Sequence, residues 1–122
     1  MNDLVDFLNA RLDEDEAIAK AVYVDPTWEY DGTSGVGGIV FECSDGAWVA
    51  DKVGPRNGAH ITRHDPAHVL RDVAAKRCII STLQHWPSWA VPGDDGNLPV
   101  RIALRHMAAV YAAHPDYDPT WA

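Results

Sequence analysis

Apolar residues recur at near-helical spacing over residues 3–22. Leu4, Leu8, Leu12, Ala19 and Val22 form the stripe, and Phe7 and Ile18 widen it. The spacing predicts an amphipathic helix with Asn2 as its N-cap, ended by Asp25-Pro26. The run Asp13-Glu14-Asp15-Glu16 lies in mid-helix and is either a solvated face or an acidic contact surface. The period then shortens to two. Thr27-Trp28-Glu29-Tyr30 reads as a short strand. Ile39-Val40-Phe41-Glu42-Cys43 and Ala47-Trp48-Val49-Ala50-Asp51-Lys52 bracket Ser44-Asp45-Gly46, the signature of a β-hairpin.

Gly54-Pro55-Arg56-Asn57-Gly58 reads as the loop that closes this hairpin, and His60 to His64 as extended chain. Asp65-Pro66 is the N-cap and first position of a second helix, running to about Gln84. Val69, Leu70, Val73, Arg77, Ile80 and Leu83 line one side of it, and Trp86-Pro87 ends it. A loop through Pro92-Gly93-Asp94-Asp95-Gly96 leads to a third helix that begins near Asn97–Pro99. Its stripe is Val100, Ala103, Leu104, Met107, Ala108 and Tyr111, and His114-Pro115 stops it. The aromatic-rich tail to Trp121 is expected to dock on the body. The fold class is α+β: an N-terminal helix, a two- or three-stranded antiparallel sheet, two C-terminal helices and an ordered tail, in a single domain over residues 1–122.

Composition narrows the function classes. The 122 residues are 47% hydrophobic and 23% charged, which is ordinary for a globular chain. The net charge is −8. Residues 1–60 hold 12 acids and 4 bases, and residues 61–122 hold 6 of each, so the whole excess lies in the first half. Direct nucleic-acid binding is not expected of such a surface. Two cysteines, Cys43 and Cys78, are too few for a disulfide framework and are read as reduced, buried thiols in a cytoplasmic protein. The acidic first 20 residues do not read as a signal peptide, and no apolar run is long enough for a membrane span.

Candidate chemistry centres on His60, His64 and His68, which stand four residues apart beside Asp65. Two imidazoles with Asp65, or with His114 and Asp116, have the donor types of a zinc site. Imidazole also suits proton transfer near neutral pH. Neither use has a supporting motif: no His-Glu-x-x-His, no cysteine pair and no Ser-His-Asp order is present. Gly32, Gly35, Gly37 and Gly38 lack the Gly-Lys-Ser/Thr of a phosphate loop. No catalytic residue, metal or cofactor is therefore assigned. Five tryptophans are many for this length. Trp86 and Trp89 flank a proline in a loop, and Arg101 and Arg105 stand one helical turn apart, so these four are read as a protein-binding surface. His60, Arg63 and His64 are the other candidate binding residues.

Several strings carry a resemblance. They are Trp28, the hairpin Gly46-Ala47-Trp48-Val49-Ala50, the run from Ala59 to Arg77 containing His60-Ile61-Thr62-Arg63-His64-Asp65-Pro66 and Val69-Leu70-Arg71, then His114-Pro115-Asp116-Tyr117 and Trp121. In this order they resemble a family of short proteins of unknown function from actinobacteria and their phages. Relatives often carry cysteines in the loop before the last helix, which suggests a zinc-binding loop there. This chain has none between Gln84 and Leu98. The resemblance implies a bacterial or phage accessory factor that acts on host machinery. The leading expectation is a non-enzymatic protein-interaction module with a protein partner or a second copy of itself. The alternatives are a small hydrolase or metal-dependent enzyme centred on His60, His64 and Asp65, and an acidic DNA mimic.

Overall fold

The computed structural model describes residues 2–22, 25–33, 37–87 and 98–122. It contains α1 (Asn2–Lys20), β1 (Trp28–Asp31), β2 (Ile39–Glu42), β3 (Trp48–Ala50), α2 (Pro55–Arg63), α3 (Pro66–Gln84) and α4 (Leu98–Ala109), then a single 3-10 turn at Pro119–Trp121. The architecture is α+β with a three-stranded antiparallel sheet in the order β1-β2-β3. Two compact units are distinguished, Met1–Glu14 with Ala74–Ala122, and Asp15–Val73.

In the 15–73 unit, Asp45 and Gly46 make the β2–β3 turn. The Asp45 carboxylate accepts from the Ala47 N–H at 2.9 Å, and Gly46 takes a φ of +70°. The register shifts after Val40, which pairs with Ala50 while Phe41 pairs with Trp48. Val49 is the surplus residue of a bulge. Strict alternation would turn either Trp48 or Val49 inward; with the bulge both are exposed.

The segment read as a closing loop and extended junction is instead α2. Gly54 is its N-cap residue and Pro55 occupies its first position, where a missing N–H costs nothing. Gly58 sits inside this helix for a tertiary reason. A Cβ there would overlap the Tyr30 ring, so only glycine lets α2 close on β1. Tyr30 in turn donates its hydroxyl to the Val53 carbonyl at 2.7 Å. Turn-rich composition masked a helix whose glycine answers to a neighbouring strand.

In the other unit the buried side chains include Leu4, Phe7, Leu8, Leu12, Ile80, Val100, Leu104 and Ala108, on the faces that the periodicity picked out, together with Val5, which it did not. Phe7 is the hub of the tail. Its ring meets those of Tyr111, His114, Tyr117 and Trp121 at centroid distances between 5.2 and 6.3 Å, mostly edge-to-face. Arg11 lays its guanidinium 5.1 Å from the same ring. The helix α4 ends at Ala109, and turns carry the chain on to Pro115. The tail is ordered and docked, as the aromatic content predicts.

Candidate functional site

The two units offer different chemistry. In the 15–73 unit the histidines stand on consecutive helix ends. His60 and His64 share one face of the last turn of α2 and its cap, because residues four apart on a helix are neighbours. Their ring centroids are 4.4 Å apart, and His64 lies 5.5 Å from His68 in the first turn of α3. His64 Nδ1 stands 2.9 Å from the His60 carbonyl, which can only accept. The proton therefore sits on Nδ1, and in the neutral ring Nε2 carries the lone pair. Arg63 is exposed beside them and adds positive charge at the C-terminus of α2.

Asp65 is buried, and both its oxygens are engaged by backbone donors. His68 N–H donates to Oδ1 at 2.9 Å, the expected N-cap bond, and Trp28 N–H donates to Oδ2 at 3.2 Å. Ala67 N–H donates to the Pro26 carbonyl at 2.9 Å. The cap thus also fixes the start of β1. A carboxylate committed in this way is a poor acid–base partner for His60 or His64. Among the described residues, no group of three or more His, Cys, Asp or Glu side chains is placed to hold a metal ion.

Beside this junction lies a half-open cleft of about 240 Å³. Ile18, Ala19, Val22, Trp28, Pro66 and Val69 form its walls, with Asp15 and His64 as the polar members. Ile18 is 72% exposed although it belongs to the apolar stripe of α1, because the stripe opens onto this cleft there. The Trp28 indole N–H is shielded from solvent and donates to nothing among the described residues. Leaving such a donor unpaired costs about 1–3 kcal/mol. Sequence reasoning placed Trp28 in a strand but did not connect it with Val22 and His64. The only signal was the Trp28 and His64 strings recurring together in the resemblance.

Cys43 stands in the turn after β2, and both it and Cys78 are exposed rather than buried. The misreading of Cys43 comes from the strand ending one residue early. Partial desolvation, reinforced by the Glu29 carboxylate, pushes the Cys43 thiol upward, the wrong direction for a nucleophilic thiolate. Asp25 anchors the same turn. The backbone N–H of Thr27 at 2.8 Å, and then Ser44 through its side chain and its backbone N–H at 2.7 Å, hold its carboxyl below the usual aspartate range.

The other unit holds a second cleft, of about 230 Å³. Ile102, Arg105, His106 and Ala109 of α4 face Tyr117 and Trp121 of the tail across it, with Ala122 at its edge. Arg105 is half-buried there, and Ile102 is 43% exposed. Trp86, just past the end of α3, is 46% exposed, while Trp89 lies outside the described residues. Arg101 is half-buried on α4. The acidic run of α1 is engaged within each unit. Asp13 pairs with Arg77 at 2.7 Å and Glu14 with Arg11 at 3.0 Å, while Glu16 pairs with Lys20.

Among the described residues, no helix is long and apolar enough to cross a membrane. No curated protein and no solved structure matches the chain. Residues 1–122, the whole sequence, match the family described as "Family of unknown function (DUF6221)", and the chain belongs to that family.

Proposed function

We propose that this chain is a non-enzymatic protein-interaction module, and that its contact surface is built on α4 and the tail. The observation that carries the reading is the cleft in which Arg105 stands half-buried between Ile102 and the rings of Tyr117 and Trp121. An arginine flanked by aromatic and aliphatic side chains is the kind of anchor that dominates protein interfaces. Exposed Trp86, Leu98 and Ile102 supply further apolar surface in the same unit. Arg101 adds charge on α4.

The enzymatic alternative has less support, because both oxygens of Asp65 serve backbone donors. The DNA-mimic alternative is weakened by the pairing of Asp13, Glu14 and Glu16 with bases of the chain itself. The bacterial or phage setting rests on the sequence resemblance alone. The partner is a protein or a second copy of this chain. Light scattering separates these two at once. Arg105→Glu and Ile102→Asp are expected to abolish the complex, whichever it is, while the melting temperature stays within a few degrees of the parent. Complex formation that survives both changes removes α4 from the interface.

A further inference from the structure

His60 and His64 are both exposed, on one face at the end of α2, with ring centroids 4.4 Å apart. Residues four apart on a helix carry their Cβ atoms about 5–6 Å from one another, a span that two imidazoles close around one metal ion. The protonation of His64 already suits that use. Its Nδ1–H donates to the His60 carbonyl at 2.9 Å, which leaves the lone pair on Nε2. An N–H held by a backbone carbonyl is the support that metal-bound histidines carry. It fixes the tautomer, orients the ring and raises the basicity of the other nitrogen. The His60 ring makes no hydrogen bond among the described residues. The two rings are tilted by 35°, and rotation about the unrestrained His60 side-chain bonds supplies the remaining convergence.

Charge favours a cation here. Residues 15–73 carry 10 acids against 5 bases. The last carbonyls of α2 add the negative end of its dipole. Arg63 opposes them, but it is exposed in the same turn, where solvent screens it. Imidazole selects borderline transition metals over magnesium and calcium, which take oxygen ligands. His68 stands farther off, its ring 5.5 Å from that of His64, and no third His, Cys, Asp or Glu completes a closed site among the described residues. Water would fill the other positions, the arrangement of an exchangeable ion rather than a structural one. We infer that His60 and His64 form an open two-ligand site for one divalent ion of the copper, nickel and zinc class, with His64 binding through Nε2. The pair lies in a different unit from the proposed protein contact surface, and neither reading depends on the other.

The test uses the intact chain without a histidine tag, and nickel(II) as the probe. Calorimetry is expected to show one saturable nickel site in the micromolar range, and no binding of magnesium. His60→Ala and His64→Ala should each weaken nickel about tenfold or more, because each leaves a single imidazole where two had acted together. His68→Ala should change the affinity less than about threefold, since its ring stands outside the chelate. The unaltered chain supplies a second readout that no substitution can disturb. Six histidines give ring signals, and substoichiometric paramagnetic nickel should broaden those of His60 and His64 first. No saturable binding, an affinity that His60→Ala and His64→Ala leave unchanged, or broadening centred on another histidine would each overturn the inference.

Discussion

Arg11 donates from Nη1 to His114 Nδ1 across 2.7 Å, joining residues 103 positions apart in the sequence. Arg11 is only 7% exposed, and Asp116 N–H donates to the same ring nitrogen at 3.0 Å. The same Arg11 nitrogen stands 2.8 Å from His114 Nε2, so the guanidinium caps the ring at both nitrogens, and Nε2 lies 3.9 Å from the Glu14 carboxylate. The His-Pro-Asp-Tyr string of the tail thus has a structural purpose. His114 receives a buried cation, Asp116 approaches it at 3.6 Å, and Tyr117 packs on Phe7.

A double-mutant cycle measures that relationship. Arg11→Met and His114→Leu are each expected to destabilise the protein, Arg11→Met by about 1.5–3 kcal/mol, the range for hydrogen bonds to charged groups. Because the two share one contact, the double variant should lose about 1 kcal/mol less than the sum of the singles. Additive losses in urea unfolding would mean that the contact contributes nothing.

Asp65 holds two elements with one carboxylate. Removing an N-cap costs about 1 kcal/mol. Here a second buried donor, Trp28 N–H, also loses its acceptor. Asp65→Ala is therefore expected to cost about 2–3 kcal/mol. Asp65→Asn keeps one acceptor oxygen and should fall between. A loss under 1 kcal/mol for the alanine variant would show that the link to β1 is not formed in solution.

Gly58 reports the packing of α2 on β1. Gly58→Ala raises helix propensity, worth about 0.5–1 kcal/mol if nothing else changed. The overlap of the new Cβ with Tyr30 reverses the sign, and overpacking of this kind costs about 1–3 kcal/mol. Thermal unfolding decides. A stabilised Gly58→Ala variant would refute the close approach.

Asp25 gives the pH dependence its sign. Its folded carboxyl titrates below the usual 3.8, chiefly because of the Thr27 N–H and then Ser44. A depressed folded value means that the unfolded chain takes up the proton first as pH falls. The stability these bonds add is fully present above 3.8 and is lost as pH drops through the folded value. Asp25→Asn should melt below the parent at neutral pH, and the gap should close in acid. A gap that does not change with pH would contradict the assignment.

Much of the fold was legible because local signals agreed with tertiary need. The Asp-Gly turn specified the hairpin, and Asp65-Pro66 with Trp86-Pro87 bounded α3. The stripes of α1, α3 and α4 placed Leu8, Val73, Ile80 and Leu104 in the interior, where they are found. The misreadings occur where a distant residue decides. Gly58 looks like a loop glycine until Tyr30 is set against it. Trp48 and Val49 violate alternation because of a bulge that no local composition announces. Ile18 belongs to the stripe but meets a cleft. The histidine spacing was legible, but its geometry was not. A helix brings His60 and His64 together as an extended chain also would, so the pattern pointed to the right pair for the wrong backbone.

The proposed contact surface is tested most directly by site-specific photo-crosslinking from α4. A benzophenone side chain at position 102, in the otherwise intact protein in its producing cell, should yield one dominant covalent adduct with a protein. Adding Arg105→Glu should abolish that adduct, while the same probe at position 48 on the sheet edge yields none. An adduct that forms from position 48 and not from position 102, or one indifferent to Arg105→Glu, would contradict the account.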